Sequence, residues 1–344
     1  MRYGVWTPLP HTIRPEQRMI AAERDLRTAG VGLGAPDLSH RFAADVVLAG
    51  ERLGFETTLI AERWLGPDLS AWMLASALAV ETSNIELMVA LHPGIVAPQQ
   101  AAKFVASLDR ISGGRAAVNI VNGWWEEEFC LFSNGGTQAD EATRYRRMDE
   151  YLQVLRGIWS GEAFRFEGEF YRANGEALPL RCIQENGPHI YAGTRHEPGM
   201  RTIARHGDCW FVNYEPDFRE AEANIELVAR DIAFMREEAA RHGRRIDFGM
   251  SCHVICAETN LEADERAIAL EEHGKCDRIS FISAKALGPG LVGTPERIAG
   301  RIRAYEQAGV GTFMMHYHPM LESMELFAHE VMPLVGGAIV AGEG

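Results

Sequence analysis

The residues able to do chemistry concentrate in one run, SGGRAAVNIVNGWWEEEF, residues 112–129. A two-glycine turn there feeds a stretch, 116–121, that is β-branched and apolar on both faces apart from Asn119. That pattern fits a parallel strand covered on both sides. Asn119, Asn122, Trp124 and Glu128 then gather at or just past its C-terminal end, where α/β folds bind ligands. An ordinary strand and turn, with the tryptophans filling core, is the plain alternative. His11, Glu62, Arg63, His92, Thr194, Arg195, His196, Asn213, His316 and His318 each follow or close another β-rich run, and His253 lies within one. This set lacks paired carboxylates and any Ser-His-Asp arrangement, so the chemistry is assigned to a cofactor.

The segment GTRHEPG, 193–199, joins a strand to a helix start, where free N–H groups and the helix dipole favour an anion. Thr194 offers a hydroxyl and Arg195 a bidentate cation for a phosphate. A plain helix cap with solvent-facing charges is the competing reading. Arg144 and Tyr145 open the helix after the Trp/Glu loop; Arg144 could meet a phosphate or pair with Glu126–Glu128. No metal is expected. The six cysteines form no CxxC pair, and among twelve histidines only His316 and His318 are spaced as HxH. Cys252 and Cys256 share a face of one predicted strand and read as core thiols.

Eight β-rich runs position these groups: 3–7, 57–61, 85–91, 116–121, 189–192, 209–213, 247–256 and 312–317. Helical patterns follow them at 42–53, 71–81, from Pro98, 142–159, 197–205, 217–242, 261–272 and 321–331. Eight βα units predict a (β/α)8 TIM barrel of class α/β, read as a single domain over 1–344. No GxGxxG follows an early strand, which weakens a dinucleotide fold. Two excursions, about 161–188 and 274–293, are expected at the C-terminal face. The 344 residues can bury a large core, and 47% hydrophobic with 24% charged residues is ordinary for a globular protein. A net charge of −14 argues against nucleic acid. No apolar run approaches the roughly 20 residues needed to span a bilayer. With no signal peptide ahead of the first strand, the expected location is cytoplasmic.

Several strings together resemble the bacterial-luciferase-like superfamily of flavin-dependent monooxygenases, within it the alkanesulfonate, dimethylsulfone and pyrimidine monooxygenase group. They are AERLGFETTLIAE, ISGGRAAVNIVNGWWEEEF, RYRRMDEYLQVLRGIWSGEAFRFEGEFY, LVGTPERIAGRIRAYEQAGVGTF and HPMLESMELFAHEVMPLV. The resemblance covers nearly the whole chain. It implies a two-component enzyme that takes reduced FMN from a separate flavin reductase, and oxygenates a small substrate with O2 through a flavin peroxide. It also implies a homodimer or homotetramer. Carried over residue by residue, Ile60 and Ala61 line the isoalloxazine and Asn119 and Glu128 hydrogen-bond the flavin. Arg144 and Tyr145 reach its ribityl-phosphate part, with Thr194 and Arg195 in place of the relatives' phosphate-binding serines. His11 and His253 match histidines on the substrate side; His92, Asn122 and Trp124 complete that side of the mouth.

Departures from the pattern narrow the expected substrate. Ser251 and Ala284 stand where the alkanesulfonate enzymes carry arginines, and His318 stands where a tyrosine is expected. Losing two guanidinium groups removes bidentate holds on a sulfonate. A neutral sulfone, amide or heterocycle is therefore expected, with His318 and His11 as proton donors or orienting groups. An alkanesulfonate monooxygenase, a deazaflavin (F420)-dependent dehydrogenase and a non-catalytic flavin-binding barrel are the alternatives. Trp124 and Trp125 read equally as core, interface or substrate wall.

Overall fold

A computed structural model describes residues 1–7, 39–65, 69–123, 125–133, 138–275 and 284–336. Eight of its strands close a barrel: β1 (Arg2–Trp6), β2 (Thr57–Ile60), β3 (Glu86–Leu91), β4 (Ala116–Ile120), β7 (His189–Gly193), β8 (Cys209–Phe211), β9 (Asp247–His253) and β12 (Thr312–His316). Their order around the ring is β1-β12-β9-β8-β7-β4-β3-β2. The helices between them are α1 (Ser39–Arg52), α2 (Ala71–Glu81), α3 (Pro98–Ser112), α4 (Glu126–Phe132), α5 (Glu141–Trp159), α6 (Glu197–His206), α7 (Ala221–Arg241), α8 (Asn260–Gly274), α9 (Pro295–Ala308) and α10 (Met320–Leu326). The TIM-barrel expectation is met. Local chemistry sets many of the ends. Proline opens α3 and Gly113, at φ 72°, closes it. Asp140 caps α5 by accepting from the Thr143 N–H at 3.0 Å.

The chain packs as two compact units, one within 1–58, 212–233 and 248–344, the other within 59–211 and 234–247. In the first, β1 pairs with β12 and β12 with β9, all parallel. Phe218, Ile255, Ala263, Ala267, Leu270, Leu287 and Val292 form a buried cluster beside them. Here the structure corrects one predicted strand. Residues 247–256 are not continuous: His253 N–H donates to the Ala286 carbonyl at 2.6 Å and the chain leaves the barrel. Ile255–Cys256, β10, then pairs instead with Val292–Gly293, β11. Cys252 and Cys256 are buried free thiols, as expected. A π-helical turn at Phe327–Val331 also interrupts the last predicted helix.

In the second unit β3, β4, β7 and β8 run parallel in register. One face carries Leu87, Val89, Val118, Ile120 and Ile190, all apolar and buried. The other carries Glu86, Ala90, Asn119 and Tyr191, and Tyr191 Oη donates to Glu86 Oε1 at 2.9 Å. The arginine of the SGGR run is structural. Arg115 donates to the carbonyls of Ala79, Thr82, Ile85 and Ser112 and to Thr82 Oγ1, tying the end of α2 to the start of β3. The excursion after α5 contains the expected hairpin, β5 (Phe164–Glu167) against β6 (Arg172–Gly175). Glu150 holds its tip by accepting from the N–H groups of Glu169, Phe170 and Tyr171.

Candidate active site

In the second unit, β4 delivers Asn119 as its one polar side chain, half-buried between Ala90 of β3 and Tyr191 of β7. Ile60 ends β2 fully buried, with Ala61 half-buried beyond it. Past β4, Arg144 Nη1 donates to the Gly123 carbonyl at 2.5 Å and to the Asn122 carbonyl at 3.4 Å. Arg144 thus ties the first turn of α5 to the β4 loop, and among the described residues it makes no ion pair with Glu126–Glu128. Arg144 Nε, Asn122 Oδ1, and Nε and Nη2 of Arg147 are buried without a hydrogen-bond partner. Arg147 lies over the Phe129 ring at 5.7 Å. Buried guanidinium donors without acceptors are costly, and their clustering marks a place for an acceptor-rich group. Glu128 is buried on α4 and accepts the Leu65 N–H through Oε1 at 3.4 Å.

The GTRHEPG segment runs from β7 into α6, as read. Tyr145 Oη and Thr194 Oγ1 are 2.6 Å apart, and Thr194 Oγ1 also accepts the His196 N–H at 3.1 Å. The Thr194 carbonyl accepts Trp210 Nε1 at 3.1 Å, which fixes the turn. Any side chain on Gly199 would strike the Tyr145 ring and Thr194 Cγ2, so glycine lets α6 approach both hydroxyls. Burial pushes the Tyr145 phenol upward against the Thr194 hydrogen bond, so it stays a donor at neutral pH. Arg195 is exposed, and His196 pairs with Glu141 at 3.0 Å. His92, at the end of β3, is buried, and burial pulls its pKa down to about 4. It is therefore neutral at pH 7, with Nδ1 lacking a partner.

In the first unit the register brings together residues far apart in sequence. Trp6, His316 and His253 lie level on one face of β1, β12 and β9. The Trp6 and His316 rings stack at 4.3 Å and 22°, and His316 and His253 are near parallel at 6.2 Å and 11°. Trp6 Nε1 donates to Ser251 Oγ at 3.3 Å, and Tyr214 Oη donates to the Ser251 carbonyl at 2.5 Å. His253 and His318 line a cavity of about 440 Å³ with Ile255, Cys256, Arg266 and Glu322 among its other walls. Of the residues singled out in sequence, His253 and His318 thus share one cavity, while Asn119, Arg144, Tyr145, Thr194 and His92 belong to the other unit. His11 and Trp124 lie outside the described residues. Sequence reasoning missed Trp6 and Arg147. Period-two counting from Gly4 marks Trp6, but no local signal marks Arg147.

The sequence profile of the luciferase-like monooxygenase family matches residues 25–312. Among solved structures, the chain is similar to EDTA monooxygenase from Chelativorans sp. BNC1, at 18% identity and TM-score 0.76, over 98% of this chain and 93% of that one. A monooxygenase from Streptomyces bottropensis matches at 23% identity and TM-score 0.74, over 97% and 99% of the two chains. The oxygenating constituent of 3,6-diketocamphane monooxygenase from Pseudomonas putida, solved with FMN, matches at 19% and 0.71, over 97% and 98%. At these identities the structures establish the shared fold; the profile match over most of the chain establishes the family. The chain belongs to the luciferase-like monooxygenase family.

Proposed function

We propose that the chain is the oxygenating component of a two-component, FMNH2-dependent monooxygenase, acting on a small neutral organic substrate such as a sulfone, amide or heterocycle. A separate reductase supplies the flavin, and the enzyme works in the cytoplasm as one barrel domain assembled into a homodimer or homotetramer. The observations that carry the reading are the Tyr145–Thr194 hydroxyl pair at the start of α6 and the buried guanidinium atoms of Arg144 and Arg147 that lack acceptors. This donor-rich set fits FMN, whose phosphate and ring oxygens are acceptors. Reduced FMN, when bound, supplies the electrons that activate O2 for transfer of one oxygen atom to the substrate.

The chain's own residues do the rest. Tyr145 Oη, Thr194 Oγ1, Arg195 and the first N–H groups of α6 hold the phosphate, and Arg144 holds the ribityl end. Asn119 and Glu128 fix the ring edge, with Ile60 and Ala61 as an apolar wall that excludes water. His11, His253 and His318 orient the substrate or deliver a proton through a ring nitrogen, with His92, Asn122 and Trp124 lining the substrate side. Anaerobic titration with reduced FMN, then mixing with 18O-labelled O2 and a sulfone, amide and heterocycle panel, tests this. A tight complex and one labelled oxygen in product are expected. Absence of reduced-FMN binding overturns the reading and brings F420 forward. His318→Phe is expected to lower turnover and spare FMN affinity; unchanged turnover removes His318 from the reaction.

A further inference from the structure

The side of α5 away from the Tyr145–Thr194 pair carries positive charge with no counter-charge of its own. Arg147 follows Tyr145 by two residues, about 200° around the helix, so it faces the loop after β3 and α4 instead of α6. A Cβ on Gly94 of that loop would stand 2.5 Å from Arg147 Cζ, so the guanidinium packs directly on the glycine. The Phe129 ring, next to Glu128 on α4, lies 5.7 Å from the same carbon. Arg147 Nε and Nη2 and Arg144 Nε are buried without acceptors. Burial pulls the Arg147 pKa down, Tyr171 opposes that pull, and the Arg144 charge close by adds to it. A guanidinium stays charged all the same. The acids nearby are engaged elsewhere. On α5, Glu141 pairs with His196, Asp149 with Arg205 and His206, and Glu150 accepts three N–H groups of the hairpin tip. Glu128 Oε1 accepts the Leu65 N–H. Tyr171 stays neutral, because burial pushes its phenol up to about 12. Among the described residues neither Arg144 nor Arg147 forms an ion pair.

Oxidised and reduced FMN carry the same phosphate, so the Tyr145–Thr194 turn cannot tell them apart. They differ in the ring: uptake of two electrons and one proton turns a neutral ring into an anion, its charge shared by N1 and the C2 carbonyl. We propose that Arg147, with Arg144, is the specificity-determining charge of the cofactor site, holding the reduced, anionic flavin ring in preference to the oxidised, neutral one. The inference rests on the FMNH2 reading and deepens it. An uncompensated, partly desolvated guanidinium pair gains Coulomb energy from an added negative charge and little from a neutral ring. Gly94 and Phe129 hold Arg147 in place before the ligand arrives, so little reorganisation opposes that gain. A protein that takes reduced flavin from a reductase and must release the oxidised form reads the charge of the ring here.

Parallel titrations with oxidised FMN in air and with reduced FMN under anaerobic conditions test this on the wild type, Arg147→Met and Arg147→Lys. The wild type is expected to bind the reduced form about tenfold or more tighter than the oxidised form. Arg147→Met is expected to lose about tenfold for reduced FMN and less than about twofold for oxidised FMN. That loss lowers the midpoint potential of the bound flavin by about 30 mV for a two-electron couple, read separately by anaerobic dye equilibration. Arg147→Lys, which keeps the charge, is expected to keep most of the preference. The wild type alone gives a further readout: the spectrum of bound reduced FMN stays that of the anion to lower pH than free reduced FMN. Equal losses for the two forms, a preference that survives in Arg147→Met, an Arg147→Lys indistinguishable from Arg147→Met, or a bound ring that protonates as readily as the free one each overturn the charge assignment. No binding of reduced FMN to the wild type overturns the cofactor reading itself.

Discussion

The two units present different kinds of wall. In the second, β4 and the loops after β3, β4 and β7 carry hydrogen-bonding groups: Asn119, the Tyr145–Thr194 pair, and guanidinium nitrogens of Arg144 and Arg147 without acceptors. In the first, β1, β12 and β9 carry stacked rings with the indole fixed on Ser251. Donors in excess suit an acceptor-rich group; rings in a column present a flat, weakly polar surface.

The widest gap is expected from Arg115→Ala. It deletes five hydrogen bonds that tie α2 to β3 and leaves their acceptors unmatched, a loss of about 3 kcal/mol. Urea unfolding should show a lower midpoint; a drop under about 1 kcal/mol would deny that polar clamps hold the second unit together. Next comes Arg144→Ala, expected to weaken reduced FMN by about 50-fold, as befits a charged donor. Trp6→Leu should stay within about twofold of wild type on the same titration. Comparable effects of the two would erase the distinction between the walls.

His92 gives a pH test. Its folded pKa is about 4, below the ordinary 6.5, so the unfolded chain takes up its proton first. The stabilisation from keeping it neutral is complete above pH 6.5 and drains away as pH falls toward 4, by up to about 1.4 kcal/mol per pH unit. His92→Asn should flatten that part of the stability profile; an unchanged slope assigns it to other groups. The smallest effect is expected from Tyr145→Phe, which removes one hydroxyl from the pair with Thr194 and weakens reduced FMN about fivefold.

Much of the second unit was legible in the chain. Both-face burial with a single asparagine located β4, and GTRHEPG between a strand and a helix located the Thr194 turn, because these are local patterns. Arg144 was legible as a residue but not in its acceptors: the Asn122 and Gly123 carbonyls lie 22 and 21 residues earlier. Strand seven was read too long because Val254–Cys256 stays apolar after the chain has left the barrel. Apolar patterning reports burial without saying which partner does the burying.

The sequence by itself determined the βα alternation, hence the barrel, and the side-chain types available at each strand end. Only the tertiary structure decided which of those side chains meet. Trp6 and Ser251 are 245 positions apart, and their contact depends on the parallel register that places Val5 opposite Met315 and Met315 opposite Cys252. Side chains alternate faces along a strand, so a shift of one residue would turn Trp6, His316 or His253 away from the others. That register is fixed where the sheet closes on itself, which no local stretch of sequence encodes.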